Sequence, residues 1–260
     1  MAFSANRNGE WRIYVANAAT GLVRALTGGP SDSVWTTWSP DGRRLAYTSA
    51  PKGQPADIYV TDVAGGVSTT RLTVQDGQRS SQPAWSPDGG TIAFVSKRGS
   101  AHQQVWLMDA DGAHARALTR LGLDADSPSW SHDGRRLVFY VNTGPSRDEI
   151  WTINADGSAP RSVIHDEANN IYASWTPDDD IVWSRQVGKN TSVMRAHADG
   201  SEATVLVPQA AFFARVSPNG QSVALISGSY PSTTIQICDA HGKQCRLIEP
   251  AGRAQPPKFR

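Results

Sequence analysis

Several features that would announce a function are missing from this sequence. No apolar run approaches about 18 residues, so no membrane-spanning helix is expected. The opening Met1-Ala2-Phe3-Ser4-Ala5-Asn6-Arg7-Asn8-Gly9 carries no apolar signal segment, which favours a fragment of a longer protein over a complete exported one. Neither charge sign dominates: 25 Lys and Arg stand against 24 Asp and Glu, a formal net charge of +1. A nucleic-acid backbone demands a concentrated basic surface, so nucleic acid is not expected as a partner. There is no Gly-x-Ser-x-Gly elbow, no α/β-hydrolase segment and no Walker-type Gly-rich loop. The six histidines, at 102, 114, 132, 165, 197 and 241, fall at no metal-ligand spacing. His102 and His165 alone lie away from the short turns. No catalytic constellation emerges, so neither enzymatic activity nor a cofactor is expected.

What the chain does have is glycine, proline and tryptophan: 23, 16 and 9 residues. That composition suits many short strands joined by tight turns, and hydrophobic residues at 39% suffice for a substantial core. A repeat organises them. Trp38-Ser39-Pro40-Asp41-Gly42 returns as Trp85-Ser86-Pro87-Asp88-Gly89 and as Trp130-Ser131-His132-Asp133-Gly134. It returns again, degraded, as Trp175-Thr176-Pro177-Asp178-Asp179, and as Val216-Ser217-Pro218-Asn219-Gly220. An apolar strand such as Ile92-Ala93-Phe94 follows each copy. A second strand such as Val105-Trp106-Leu107 comes next, then a turn such as Asp109-Ala110-Asp111-Gly112, then a closing strand such as Ala117-Leu118-Thr119. In these turns Pro presets φ, Asp bonds its own backbone and Gly accepts positive φ.

Four short strands per unit, repeating every 41 to 47 residues, describe blades of a β-propeller. The expected fold is all-β: a single six-bladed propeller over residues 1–260, with four-stranded blades and repeats beginning near 35, 82, 127, 172 and 213. One blade is split between residues 1–27 and 254–260. Ala254-Gln255-Pro256-Pro257-Lys258-Phe259 resembles Ser81-Gln82-Pro83-Ala84-Trp85, so the C-terminal strand is expected to join the N-terminal blade and remove its open edge.

The Trp-Ser-Pro-Asp-Gly turn, the Ile-Ala-Phe-like and Ile-Tyr-like strands, the Asp-Ala-Asp-Gly turn and the Leu-Thr ending resemble the TolB-type propeller repeat over almost the whole chain. The fifth blade departs at Asp178-Asp179-Asp180, the sixth at Val216, and TolB's N-terminal α/β domain has no counterpart here. The resemblance implies a six-bladed scaffold of the bacterial envelope. Similar repeats form sensory parts of membrane-anchored regulators, accompany peptidases of the prolyl oligopeptidase type, and act as lyases on pectic oligosaccharides; fold alone does not choose among these.

Seven of the nine tryptophans occupy repeat positions and read as core between blades. Trp11 and Trp35 are off-register. Trp35, Tyr172 and Phe213 fall in lead-in segments that open on one face of the disc, and two readings stand: an aromatic rim that binds, or an apolar plug. The connections on that face vary in length and content, whereas the Ser-Pro-Asp-Gly and Asp-Ala-Asp-Gly turns opposite are short and nearly repeated; variable loops on a rigid scaffold are where partners are discriminated. The expected site is therefore Trp35, Tyr172 and Phe213, with Arg79, Asp126 and Asn170 as polar neighbours. Its expected occupant is a protein or peptide at the propeller mouth, with the scaffold itself monomeric. A sensory domain and a carbohydrate-active lyase are the alternatives. The adjacent carboxylates Asp178, Asp179 and Asp180 are either an eroded turn or a cation site.

Cys238 and Cys245 flank a short turn. A two-residue turn at His241-Gly242 would set them opposite one another, close enough to bridge. A disulfide implies an oxidising, extracytoplasmic compartment such as the periplasm; two unpaired thiols are the alternative.

Overall fold

The computed structural model describes residues 1–7, 9–17, 19–64, 68–73, 78–208, 210–229 and 232–248. Among them there is no helix. Six antiparallel sheets stand around an axis as a six-bladed β-propeller. The third blade is typical: Ser80–Trp85 lies innermost, followed outward by Thr91–Ser96, Gln104–Asp109 and Arg116–Ala117. The N-terminal blade contributes Ala2–Arg7, Glu10–Ala16 and Val23–Ala25. The closing strand expected from residues 254–260 lies outside the described residues.

The second strand of each blade is the most apolar and the most enclosed. Leu45, Ala46, Ile92, Ala93, Phe94, Leu137, Val138, Phe139, Ile181 and Val182 are all fully buried. Their side chains face a neighbouring blade on each side, so the core is a set of layers between blades. One such layer joins Val105, Leu107 and Leu118 of the third blade to Leu137, Phe139 and Ile153 of the fourth. Bulk is needed because twisted sheets splay apart away from the axis.

The innermost strand carries the feature that positions the site. In five blades its pairing with the second strand slips by one residue: between Val34 and Thr37, Ser81 and Ala84, Asp126 and Ser129, Ile171 and Ser174, and Phe212 and Arg215. Within each slip sits a non-glycine residue of positive φ: Trp35 (54°), Gln82 (54°), Ser127 (55°), Tyr172 (58°) and Phe213 (61°). This is a β-bulge with a left-handed residue. Two of the amides it turns out of the ladder find hydroxyls on the preceding blade: Gln82 N–H donates to Thr48 Oγ1 (2.9 Å) and Phe213 N–H to Ser184 Oγ (2.8 Å). Pro83 and Pro128 directly follow two of the bulges, where a strand tolerates a missing N–H.

The outer hairpins close through three-residue loops, so the two-residue turn expected at His241-Gly242 is instead a loop over Ala240, His241 and Gly242. At Asp239, the N–H donates to Lys243 C=O (2.9 Å) and the C=O accepts from Gly242 N–H (3.0 Å). A second left-handed residue, Gln244 (φ 47°), then restores the alignment, and Cys238 and Cys245 are joined by a disulfide. The same pairing of turn and left-handed follower recurs with His114, Ala159 and Glu202. The turn glycine also meets a spatial limit. A Cβ on Gly112 would sit 2.8 Å from Leu72 C=O, and one on Gly200 would collide with Val163 C=O of the preceding blade.

Gly200→Ala should therefore cost about 3 kcal/mol, because left-handed strain and collision add. Gly42→Ala has the same sign of φ but nothing within 4 Å of the new Cβ, and should cost about 1 kcal/mol. Urea unfolding of both variants checks this; equal losses would contradict a blade-to-blade contact at Gly200.

Candidate functional site

The bulges decide what faces the axis. Trp35, Tyr172 and Phe213 come from the second, fifth and sixth blades, yet their rings touch: 5.7 Å between the centroids of Trp35 and Tyr172, 5.1 Å between Trp35 and Phe213, and 4.7 Å between Tyr172 and Phe213. Contact between blades this far apart in the ring is possible only across the central channel. Tyr140 adds its edge to Tyr172 at 5.9 Å. Trp35 is 9% exposed, while Tyr172 and Phe213 are half-buried. The trio is thus a floor set within the channel, with Trp35 beneath and two faces still open. The rings pack on one another as a plug would, and Tyr172 and Phe213 keep part of their surface exposed.

Polar groups surround this floor. Asp126 precedes the bulge residue Ser127 and accepts a hydrogen bond from Gln103 Nε2 at 3.2 Å. Enclosure in the channel pushes its carboxyl up to about 7; the Gln82 side chain, the Ser127 N–H and the Arg79 charge pull it down, and Asp148 adds to the rise. Asp148 is also raised by burial, offset by the Asn142 amide at 2.9 Å. Burial lifts the Tyr172 phenol to about 12, and raises that of Tyr140 as well. Arg79 is exposed, and its charge reaches Asp126.

Asn170 is a correction. It is fully buried, and both ends of its amide are engaged: Nδ2 donates to Asp166 Oδ1 (2.7 Å), and Oδ1 accepts from Trp183 Nε1 (2.9 Å). It holds a core tryptophan in place and does not line the mouth. The acidic run is likewise a turn rather than a cation cage. Arg195 pairs with Asp178 and with Asp180 (2.8 Å), Arg136 pairs with Asp179, and His197 Nδ1 lies 2.9 Å from Asp180. Among the described residues no group of three or more His, Cys, Asp or Glu side chains could hold a metal ion.

Arg215 is a site residue that sequence reasoning missed. Its guanidinium lies 5.0 Å from the Phe213 ring, and Nη1 donates to Tyr172 C=O (3.3 Å) and Ala214 C=O (2.9 Å). Enclosure lowers its pKa to about 10, and it remains a cation. The signal was present: two residues after each bulge the other inner strands carry Thr37, Ala84, Ser129 and Ser174, and only here a long cation. The channel therefore offers an aromatic floor with a cation on one side and carboxyls on another.

A carboxyl whose folded pKa stands above its unfolded value adds stability that is complete below the unfolded pKa, near 4, and lost as pH rises through the folded value, here about 7. Asp126→Asn should remove that loss. The variant should gain on the parent between pH 5 and pH 8, reaching about 2 kcal/mol at the upper end, as read by urea unfolding at both pH values. A difference independent of pH would contradict the enclosure of Asp126.

Comparison with known proteins agrees with this architecture. The family model described as the TolB beta propeller domain matches residues 1–162, more than half of the chain. An uncharacterized protein of Agrobacterium fabrum is 35% identical over 111 residues, 43% of this chain and 36% of that protein. A TolB homolog of Chlorobaculum tepidum is 33% identical over 123 residues, 47% of this chain and 27% of that protein. The chain thus spans about a third of the length of the curated relatives it matches. Among solved structures, TolB from Acinetobacter baumannii superposes with a TM-score of 0.81 at 18% identity, covering 98% of this chain and 64% of that one. An oligogalacturonate lyase from Vibrio parahaemolyticus superposes at 0.66 with 14% identity, over 95% and 73% of the two chains. At such identities likeness speaks for the fold alone. The family rests on the repeat motifs and the model match, and by these the chain belongs to the TolB beta propeller domain family.

Proposed function

We propose that this chain is a non-catalytic binding scaffold of the bacterial envelope, which holds a segment of a partner protein at the mouth of its channel. The observation that carries the reading is the convergence of Trp35, Tyr172 and Phe213 from three blades onto one floor. Aromatic side chains lose little conformational entropy on binding and dominate the energetics of protein interfaces. The left-handed backbone that presents them is itself costly, and such strain tends to persist where it serves a ligand.

The mouth supplies the other parts of an interface. Variable segments surround it, including 120–127 and 165–171, and Asp124, Asp126 and Arg79 offer polar contacts beside the aromatic floor. A peptide entering there would lay an apolar side chain against Phe213 and Tyr172 and set its polar groups between Arg215 and Asp126. Family membership supports a binding role in the envelope, and the disulfide between Cys238 and Cys245 suits an oxidising compartment such as the periplasm. The scaffold would act as a monomer, since rigid display needs no second copy.

Affinity capture from a bacterial envelope fraction tests the reading, with circular dichroism confirming that each variant is folded. Phe213→Ala and Trp35→Ala should each weaken retention of the captured partner by roughly fivefold or more, the loss of more than about 1 kcal/mol expected for an anchor and its support. Asp111→Asn, on the opposite face, should leave retention unchanged. Binding lost through Asp111 and untouched by the aromatics would overturn the assignment.

A further inference from the structure

The face opposite the mouth carries a cation–aromatic stack at two blade seams, and at the seam of Trp130 the cation is missing. The residue five positions after the turn serine is structurally equivalent in four blades: Ser39 N–H donates to Arg44 C=O, Ser86 to Thr91, Ser131 to Arg136 and Ser217 to Ser222. Where that residue is arginine, its guanidinium lies over the tryptophan of the next blade. Arg44 Cζ is 4.8 Å from the Trp85 ring centroid, and Arg136 Cζ is 4.5 Å from that of Trp175. Both rings are buried beneath their arginines, at 6% and 7% exposed.

Between the third and fourth blades the arginine is replaced by Thr91, which is too short to cover a ring. Trp130, equivalent to Trp85 and Trp175, is only half-buried. Among the described residues no Lys or Arg side chain lies over it. A cavity of about 480 Å³ opens there, lined by Thr91, Trp130, Asp88, Asp133, Arg116 and His132 among others. Asp88 and Asp133 each accept a serine hydroxyl (2.6 Å) and a backbone N–H on one oxygen. Those bonds, the serine hydroxyl foremost, hold both carboxyls below the usual carboxylate range, so both are charged. Asp133 already has a cation beside it, the exposed Arg135, whose Nε lies 3.9 Å from Oδ2, and the exposed Arg116 also lines the cavity; the charge of Asp88 is held by its serine and backbone bonds.

We propose that this cavity is a binding site for a guanidinium group, which would stack on Trp130 in the place that Arg44 and Arg136 fill in neighbouring blades. A guanidinium suits it better than an ammonium: its plane can lie on the indole while its edge donates to the carboxylates of Asp88 and Asp133. The group could belong to a free arginine-like molecule or to an arginine side chain of a partner. The site is independent of the channel mouth.

The indole N–H resonance of Trp130, assigned with Trp130→Phe, reads binding in the full chain. The probes are argininamide and a blocked Gly-Arg-Gly peptide, with lysine counterparts. Saturable shifts with a dissociation constant of about 1 mM are expected at low salt, roughly tenfold weaker for the lysine probes. Peptide binding at least as tight as argininamide assigns the site to a partner's side chain; binding of argininamide alone assigns it to a small molecule. Thr91→Arg fills the cavity from within. It should weaken either probe by tenfold or more and raise Tm by about 2 °C, as a restored stack would. No saturable shift at Trp130, or a Thr91→Arg protein that binds like the parent, would overturn the proposal.

Discussion

One backbone constraint underlies the centre of this molecule: a left-handed residue in the innermost strand of five blades. For a side chain as large as Trp, Tyr or Phe that conformation costs on the order of 1 kcal/mol or more. It survives because neighbours answer the polar groups it displaces, as Thr48 and Ser184 do for the amides of Gln82 and Phe213. In return the bulge turns one side chain per blade toward the axis. The channel's character then follows from five positions, Trp35, Gln82, Ser127, Tyr172 and Phe213. Aromatic residues gather on one side, and polar ones beside Asp126 on the other.

The two faces of the disc divide their labour on physical grounds. On the turn face, glycines that admit no Cβ bring neighbouring blades into contact, and arginine–tryptophan stacks seal the seams. That face is mostly structure, apart from the seam left open at Thr91. On the mouth face the segments between blades differ from one another, and the enclosed groups are held far from their usual protonation behaviour. Such groups cost stability, and a scaffold with well-filled layers between its blades can bear that cost.

Much of the architecture was legible in the sequence, because blades repeat and turns have strong chemistry. Trp-Ser-Pro-Asp-Gly marks the first hairpin of each unit and Asp-Ala-Asp-Gly the second, so blade number and strand order could be read directly. Trp35, Tyr172 and Phe213 stood out as aromatics ahead of the inner strand, but their mutual contact was invisible: it joins Trp35 to residues more than a hundred positions away and depends on a bulge with no consensus residue. Asn170 misled because a polar residue in a lead-in segment reads as exposed, whereas it satisfies the Trp183 indole. Arg215 escaped because it is remarkable only against Thr37, Ala84, Ser129 and Ser174 in the aligned repeats. Trp130 read as core like its equivalents, and only the short Thr91 beside it says otherwise.

The central claim is that a partner engages the aromatic floor through the channel mouth. Hydrogen–deuterium exchange of the chain, alone and with its captured partner, tests it most directly. Amides of 120–127, 165–172 and 211–215 should slow on binding, while those of the turns at 109–113 and 154–158 stay as they were. Protection confined to the turns, with the mouth segments unchanged, would contradict the account.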